Sequence, residues 1–161
     1  MSKRPSAGYI IFRRLERNPI EYLLLQTSSG KHHWTPPKDL ELLSWYENNN
    51  KKTIIKFGRL EAGESPLQAA ERETKEEAGL DKNDLEYYNQ FQETITYDSK
   101  GQLKNVFYYL ASLRNVDQII RLSDEHQNLC WSTLEDACRL ANHSETENVL
   151  RKADEFIQKN L

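Results

Sequence analysis

Two kinds of hydrophobic pattern alternate along the chain and predict its elements. In two pairs of segments, apolar and β-branched residues alternate with polar ones around turn residues, which is typical of β-hairpins. These segments are 6–14, 20–26, 86–97 and 105–113. Near the end, apolar residues recur every three or four positions at 134–141 and 149–157, which predicts two amphipathic helices. We therefore expect an α/β domain in which helices cover the faces of a sheet.

The region between the two hairpins is less regular. Residues 27–38, TSSGKHHWTPPK, contain Gly30 and two adjacent prolines, which exclude a regular helix and favour an extended loop. In the stretch 39–57 we expect a short helix, an asparagine-rich turn and a short strand. Because the 161 residues show no internal repeat and no flexible linker, we expect a single domain over 1–161.

A further helix with well-marked ends precedes the second hairpin. Ser65-Pro66 is typical of an N-cap followed by proline at the first helical position, and Gly79 suits a left-handed C-terminal residue. At about 100° per residue, one stripe of this helix suits the core, and an arc of about 100° beside it holds three carboxylates. The stripe is Leu67, Ala70, Thr74 and Ala78, and the carboxylates are Glu73, Glu76 and Glu77.

The crowding of these carboxylates has two interpretations. Like charges three or four residues apart on a helix repel each other, and Arg72 and Lys75 can neutralise part of that charge on an ordinary solvated face. Alternatively, the carboxylate oxygens bind a hard divalent cation such as Mg²⁺, which takes a few such ligands together with water and substrate phosphates. Composition alone does not decide between them.

Overall charge and composition narrow the classes of function. The net charge of -3 at pH 7 gives no basic excess of the kind that holds nucleic acid. Cys130 and Cys138 have neither a paired motif nor histidines at zinc-ligand spacing, so we expect two reduced thiols. We find no secretory signal, and no stretch approaches the roughly 18 apolar residues of a membrane span. We therefore expect a cytoplasmic monomer that binds neither nucleic acid nor a membrane.

The order of residues around the acidic helix favours the metal interpretation. Gly58, five residues, Glu64, seven residues and then RETKEEAGL at 72–80 match the Nudix box at its fixed positions. Only Thr74 departs, at a position where an aliphatic residue is usual. The chain thus resembles the Nudix hydrolases. This resemblance implies a mixed β-sheet sandwiched between helices, and a loop-helix-loop that binds divalent cations and hydrolyses a nucleoside diphosphate linked to another group.

The same resemblance assigns roles within the box. It makes the three arc carboxylates metal ligands for Mg²⁺ or Mn²⁺, and it gives Arg72 the role of orienting them. Gly58 and Gly63 would let the loop turn tightly. This chemistry is physically reasonable, because polyphosphate hydrolysis needs neutralisation of charge on the phosphoryl oxygens and an activated water.

Segments outside the box resemble one Nudix subfamily, the animal type of asymmetric diadenosine tetraphosphate hydrolase. They include GYIIFRR, EYLLLQTSSGKHHWTPPK, RLSDEHQNLCW and LEDACRLA, so the resemblance covers nearly the full chain. It implies that His33, Lys38, Tyr97 and Lys104 contact phosphates or adenine. It also implies that Glu125 holds a metal or prepares the attacking water. Without the resemblance, Glu125 would be a surface acid, His33 a histidine packed beside its tryptophan neighbour, and Tyr97 ordinary strand packing.

Two departures from this subfamily affect the binding side. The lysine after the two prolines is usually followed at once by the first glycine of the box, whereas here 39–57 separate Lys38 from Gly58. An insertion beside a catalytic loop is a candidate lid or interaction surface, in which Trp45 and Tyr46 could reach a substrate, or a tolerated surface excursion. Ser29 also stands near a position where the subfamily can carry a base-stacking aromatic residue.

We expect hydrolysis of diadenosine tetraphosphate to ATP and AMP, with Glu73, Glu77, Glu125 and Arg72 as the catalytic group. Sequence does not decide which glutamate is the general base. Other Nudix activities stay open, namely removal of pyrophosphate from RNA 5′ ends and hydrolysis of diphosphoinositol phosphates. A Nudix module that binds a nucleotide without cleaving it is a further alternative, as is a structural domain with an acidic surface helix.

Overall fold

The structure, a computed structural model, describes residues 5–17, 19–38, 63–99 and 101–161. Within them lie six strands and three helices. In chain order these are β1 (Ser6–Arg14), β2 (Ile20–Thr27), β3 (Trp34–Thr35), α1 (Pro66–Ala78), β4 (Leu85–Ser99), β5 (Gln102–Leu113), β6 (His126–Ser132), α2 (Leu134–Ala141) and α3 (Ser144–Asn160). The helix and strand expected at 39–57, together with Trp45, Tyr46 and Gly58, lie outside the described residues. None of the described helices has the length and apolar character needed to cross a membrane.

All six strands belong to one mixed sheet. Its order is β3-β2-β1-β5-β4, and β6 pairs with β2. The two expected hairpins are present as antiparallel pairs, β1 with β2 and β4 with β5. Between the hairpins, β1 runs parallel to β5, from Ser6 opposite Val106 to Phe12 opposite Ser112. The expected mixed sheet is therefore confirmed, and its mixed character arises where the two hairpins meet.

A gap opens between β1 and β2 as the strands leave their shared turn. β1 pairs with β2 only from Phe12 to Arg14, whereas Leu25 and Gln26 at the far end of β2 pair with β3. The chain that follows β3 then returns to β1, where Lys38 forms a bridge with Gly8. Residues 34–38, which we expected to be an extended loop, thus contain a two-residue strand and fill this gap.

Each face of the sheet has its own core, because successive side chains of a strand point to opposite faces. On β1, Ile10 and Phe12 belong to a core that includes residues of α2 and α3. Tyr9 and Ile11 belong to the other core, which includes residues of α1. The structure confirms helices on both faces of the sheet.

Helix α1 begins and ends where its capping residues predict. The Ser65 hydroxyl accepts a hydrogen bond from Gln68 N at 3.2 Å, and Gln68 Oε1 accepts one from Ser65 N at 2.9 Å, which completes a capping box. At the other end, Gly79 has φ of 69° and its N–H bonds to the carbonyl of Lys75. Of the stripe expected to face the core, Leu67 is half-buried and the other members are buried.

Candidate active site

Arg72 lies at the centre of a group of carboxylates on α1 and the loop before it. Its Nε donates to Oε1 of Glu64 at 2.8 Å, and its Nη2 donates to Oε2 at 3.1 Å. Its Nη1 contacts Oε1 of Glu73 and lies 3.4 Å from Oε2 of Glu76. A bidentate pair fixes the plane of the guanidinium. Arg72 therefore links Glu64 in the loop to Glu73 and Glu76 on the helix.

The three glutamates of the predicted arc on α1 differ in exposure. Glu73 is 3 % exposed and Glu77 is 1 % exposed, whereas the Glu76 side chain is 58 % exposed. Part of the reason is that the segment before β6 lies over the end of α1, where Ser123 N donates to the carbonyl of Glu77 at 3.3 Å. The expected arc of three carboxylates is thus divided into two buried groups and one that faces solvent.

Glu125 lies close to this group although it is far away in the sequence. Burial raises the pKa of the Glu125 carboxyl, and the nearby Glu76 raises it further. Burial also raises the pKa of Glu73; Arg72 opposes this rise, while Glu76 and Glu125 add to it. The structure therefore brings Glu73, Glu76 and Glu125 within electrostatic reach of one another, with more negative charge than Arg72 offsets.

The donor set suits a hard divalent cation, which prefers carboxylate oxygens. In the described part of the chain, no three His, Cys, Asp or Glu side chains are already grouped to hold a metal ion. The carboxylates of Glu73 and Glu76 instead contact the Arg72 guanidinium. Burial is the main cause of the raised pKa of Glu73, and added positive charge beside its carboxylate would favour the ionised form. The residues present therefore fit a cation, which would add that charge.

Backbone hydrogen bonds set the place of Glu125. Arg121 N donates to the carbonyl of Ala78 at 2.9 Å, next to the Ser123 bond described above. The carbonyl of Glu125 accepts from Ser28 N at 2.8 Å, and His126 N donates to the carbonyl of Ser123 at 3.1 Å. The segment 121–126 is thus tied both to the end of α1 and to the loop after β2.

Three of the four expected substrate-binding residues lie together. Tyr97 on β4 is opposite Lys104 on β5, and the Lys38 ammonium lies 5.5 Å from the centroid of the Tyr97 ring. Lys38 and Lys104 are only 8 % and 7 % exposed. His33 stands on the exposed loop before β3, and its carbonyl accepts from Thr27 N at 3.1 Å. The structure therefore groups the two lysines with the tyrosine and leaves His33 at the surface.

Tyr108 connects this group to the glutamates. Its phenol is buried, and burial raises its pKa; the nearby Tyr97 and Glu77 raise it further. The Tyr108 phenol is therefore within electrostatic reach of both Tyr97 and Glu77. The two groups of expected site residues occupy neighbouring parts of the molecule.

The sequence did not predict the positions of two histidines in this region, His126 and His143. The ring of His143, the N-cap of α3, meets the Tyr97 ring edge-on at 6.0 Å between centroids. His126 is 5 % exposed, and burial lowers its pKa to about 4, so its ring is neutral. Neither ring nitrogen of His126 has a hydrogen-bond partner among the described residues. No sequence pattern indicated the contact of His143 with a strand, because the two residues are far apart in the chain.

Comparison with known proteins defines the class. The model of the NUDIX domain matches residues 2–153, and the chain belongs to this family. A Caenorhabditis elegans relative named bis(5′-nucleosyl)-tetraphosphatase [asymmetrical] is 42 % identical over 152 residues, which cover 94 % of this chain and 95 % of the relative. A Sus scrofa relative with the same name is 39 % identical over 157 residues, covering 94 % of each chain.

The fold agrees with a solved structure of the same class. The crystal structure of a C. elegans Ap4A hydrolase binary complex superposes with a TM-score of 0.81 at 40 % identity. The match covers 97 % of this chain and 98 % of that chain. The expected Nudix fold is therefore confirmed.

Proposed function

We propose that this protein hydrolyses diadenosine tetraphosphate asymmetrically, to ATP and AMP, with Mg²⁺ as its divalent cation. The observation that carries the proposal is the convergence of Glu125 with the box glutamates beside Lys38, Tyr97 and Lys104. Relatives that bear the name of this activity match nearly the whole chain, including the segments outside the box. Those outer segments matter because a shared fold does not by itself define a substrate.

Glu73, Glu76, Glu77 and Glu125 would hold the cation. When bound, it neutralises charge on the phosphoryl oxygens and makes water more acidic. Arg72 would orient the carboxylates of Glu73 and Glu76 through its contacts with both.

The polyphosphate would lie between the glutamates and the two buried lysines. Lys38 and Lys104 supply positive charge to its oxygens, and Tyr97 offers a ring face on which a base can stack. His33 on the exposed loop is the remaining binding residue of the proposal. We propose that the adenosine at one end binds on the Tyr97 side, because both lysines adjoin that ring.

A water molecule then attacks an outer phosphorus. One of the glutamates takes its proton, a new phosphorus–oxygen bond forms, and the bond from that phosphorus to the bridging oxygen breaks. AMP leaves with the new oxygen, and ATP leaves with the bridging oxygen. Glu77 and Glu125 are the candidates for the base: Glu125 has a raised pKa that suits proton transfer, and Glu77 is nearly inaccessible to bulk solvent.

Product identification on a panel of substrates tests the proposal. Purified protein with Mg²⁺ should convert diadenosine tetraphosphate to ATP and AMP, and chelation with EDTA should stop it. Faster turnover of triphosphorylated RNA or of a diphosphoinositol phosphate would overturn the substrate assignment. Binding of the dinucleotide without turnover would instead indicate a nucleotide-binding module.

A matched pair of variants on α1 tests the site. Glu77→Gln should lose at least about 100-fold in kcat, since removal of a group that stabilises the transition state commonly costs that much. Glu71→Gln changes an exposed glutamate of the same helix and should keep turnover within about twofold. Equal activity of the two variants would contradict the assignment of Glu77.

The remaining parts of the proposal concern the state of the protein in the cell. We propose that it acts as a monomer in the cytoplasm. Light scattering on the purified protein should give the mass of one chain, and cell fractionation should recover the activity in the cytosolic fraction. A dimer mass, or activity confined to membranes, would overturn these two assignments.

A further inference from the structure

Gly8 lies at a point where two backbones come unusually close. It is buried in β1, with Tyr108 of β5 opposite it in the sheet. On the side where β1 and β2 have separated, Gly8 forms a bridge with Lys38. The neighbouring Tyr9 N donates to the carbonyl of Pro37 at 3.1 Å. The segment that carries Lys38 is therefore attached directly to β1.

This attachment requires that residue 8 has no side chain. A Cβ atom at Gly8 would lie 2.4 Å from the carbonyl oxygen of Pro37, and 2.5 Å and 2.8 Å from Cβ and Cα of Lys38. Real Cβ atoms essentially never approach other atoms below 3.0 Å, so the segment would have to move by at least about 0.6 Å. Gly8 does not have a positive φ, so the missing side chain, rather than backbone freedom, is what this position needs.

A displacement of residues 36–38 would change the position of Lys38 relative to Tyr97. Pro36, Pro37 and Lys38 are buried, and the two prolines have fixed φ angles, so few backbone rotations are left to absorb the shift. Two of the three close contacts of the added atom are with Lys38 itself. The Lys38 ammonium lies 5.5 Å from the Tyr97 ring centroid, and a shift of its backbone would change that distance.

We propose that Gly8 is a positioning residue, whose lack of a side chain places the Lys38 ammonium against Tyr97 for binding of the polyphosphate. The assignment rests on the proposed function only in its last step, the binding of phosphate by Lys38. The geometric step, in which Gly8 determines the position of Lys38, depends only on the contacts described above. The two steps can therefore be tested separately.

A crystal structure of Gly8→Ala tests the geometric step. The distance from the Lys38 ammonium to the Tyr97 ring should change by about 1 Å or more, and the bond from Tyr9 N to the Pro37 carbonyl should lengthen. An unchanged distance would overturn the inference whatever the kinetics show.

A double-mutant cycle tests the functional step with diadenosine tetraphosphate as substrate. Gly8→Ala should raise KM about 5- to 30-fold and leave kcat within about threefold, because substrate positioning is sensitive to shifts of this size. Lys38→Met should raise KM by a similar factor, and Gly8→Ala should add at most about twofold in the Lys38→Met background. Ile10→Val, two residues along the same face of β1, lowers stability without adding an atom near Lys38 and should keep KM within twofold.

The outcomes separate the inference from the function on which it rests. If Lys38→Met raises KM but Gly8→Ala does not, the positioning role of Gly8 is wrong and the role of Lys38 stands. If Gly8→Ala moves Lys38 but neither variant changes KM, the binding role of Lys38 is wrong. Full additivity in the cycle would show that Gly8 acts on the fold rather than through Lys38.

If Gly8→Ala does not fold, amide hydrogen exchange of the protein with its natural Gly8 tests the inference instead. A methylene-bridged analogue of diadenosine tetraphosphate that engages Lys38 should slow hydrogen exchange of the Tyr9 amide more than that of the Ile11 amide, because the Tyr9 amide donates directly to the Pro37 carbonyl. The difference should vanish in Lys38→Met. Equal slowing of both amides in the unaltered protein would overturn the inference.

Discussion

Replacement of Arg72 by methionine should destabilise the cation-free protein by an amount that the structure lets us estimate. Arg72 is 21 % exposed, and its partners Glu64 and Glu73 are 12 % and 4 % exposed in their side chains. Removal of one member of a fully buried ion pair costs about 3–5 kcal/mol, because the other charge stays buried without its partner. Because Arg72 is partly exposed to solvent, we expect the free energy of unfolding to fall by about 2–3 kcal/mol.

The assay is thermal unfolding in EDTA and in saturating Mg²⁺. For a chain of this size, each kcal/mol corresponds to about 2–4 °C in Tm, so Tm in EDTA should fall by about 5–10 °C. In Mg²⁺ the fall should be smaller, since the cation supplies the positive charge that the arginine gave to Glu73 and Glu76. Turnover should stay low even in Mg²⁺, because the carboxylates have lost the group that orients them.

Arg13→Met is the matched control. Arg13 is also 21 % exposed, pairs with Glu21 at 2.8 Å and lies over the Trp131 ring, but none of its described partners belongs to the site. Its loss of Tm should be the same in EDTA and in Mg²⁺. If the Tm loss of Arg72→Met is likewise independent of Mg²⁺, or stays below about 1 kcal/mol, the argument from buried charge is refuted.

Three further predictions concern stability, each measured by urea unfolding. Gly79→Ala adds a left-handed strain of about 1–2 kcal/mol and a contact of 2.9 Å with Cβ of Arg121, so it should cost about 2–4 kcal/mol. Gly101 has a similar φ and open space around it, so Gly101→Ala should show the cost of the backbone strain alone. Equal losses of stability in the two variants would contradict the predicted clash with Arg121. Ser65→Ala removes the capping box and should cost about 1 kcal/mol; no loss would mean that α1 does not depend on this cap. Tyr22→Phe removes a 2.7 Å hydrogen bond to an α3 carboxylate and should cost about 1–2 kcal/mol, whereas a gain in stability would exclude that bond.

The features that sequence predicted best depend on local chemistry. The ends of α1 follow from Ser65-Pro66 and Gly79, whose preferences act within one turn of the helix. The two hairpins follow from alternation and turn residues, although the second extends further than expected, with β4 running to Ser99 and β5 beginning at Gln102. The helical arc likewise predicted that the box glutamates lie side by side.

The features that sequence missed depend on contacts between distant segments. The helical arc did not distinguish the exposure of Glu73 from that of Glu76, but the folded protein buries Glu73 and leaves Glu76 exposed. The contact of His143 with Tyr97 joins a helix end to a strand, and no periodic pattern records such a pair. The sequence did not indicate the close approach of Gly8 to Lys38 either, because Lys38 lies in a distant segment without a periodic pattern. The convergence of Glu125 on the box was expected only through the family resemblance.

We propose that water attacks an outer phosphorus of diadenosine tetraphosphate at the site formed by Glu73, Glu76, Glu77 and Glu125. Hydrolysis in water enriched in oxygen-18, with Mg²⁺ and mass analysis of both products, tests it most directly. We predict ATP and AMP in equal amounts, with the heavy oxygen in AMP alone. Two molecules of ADP, or the label in ATP, would exclude attack at that phosphorus.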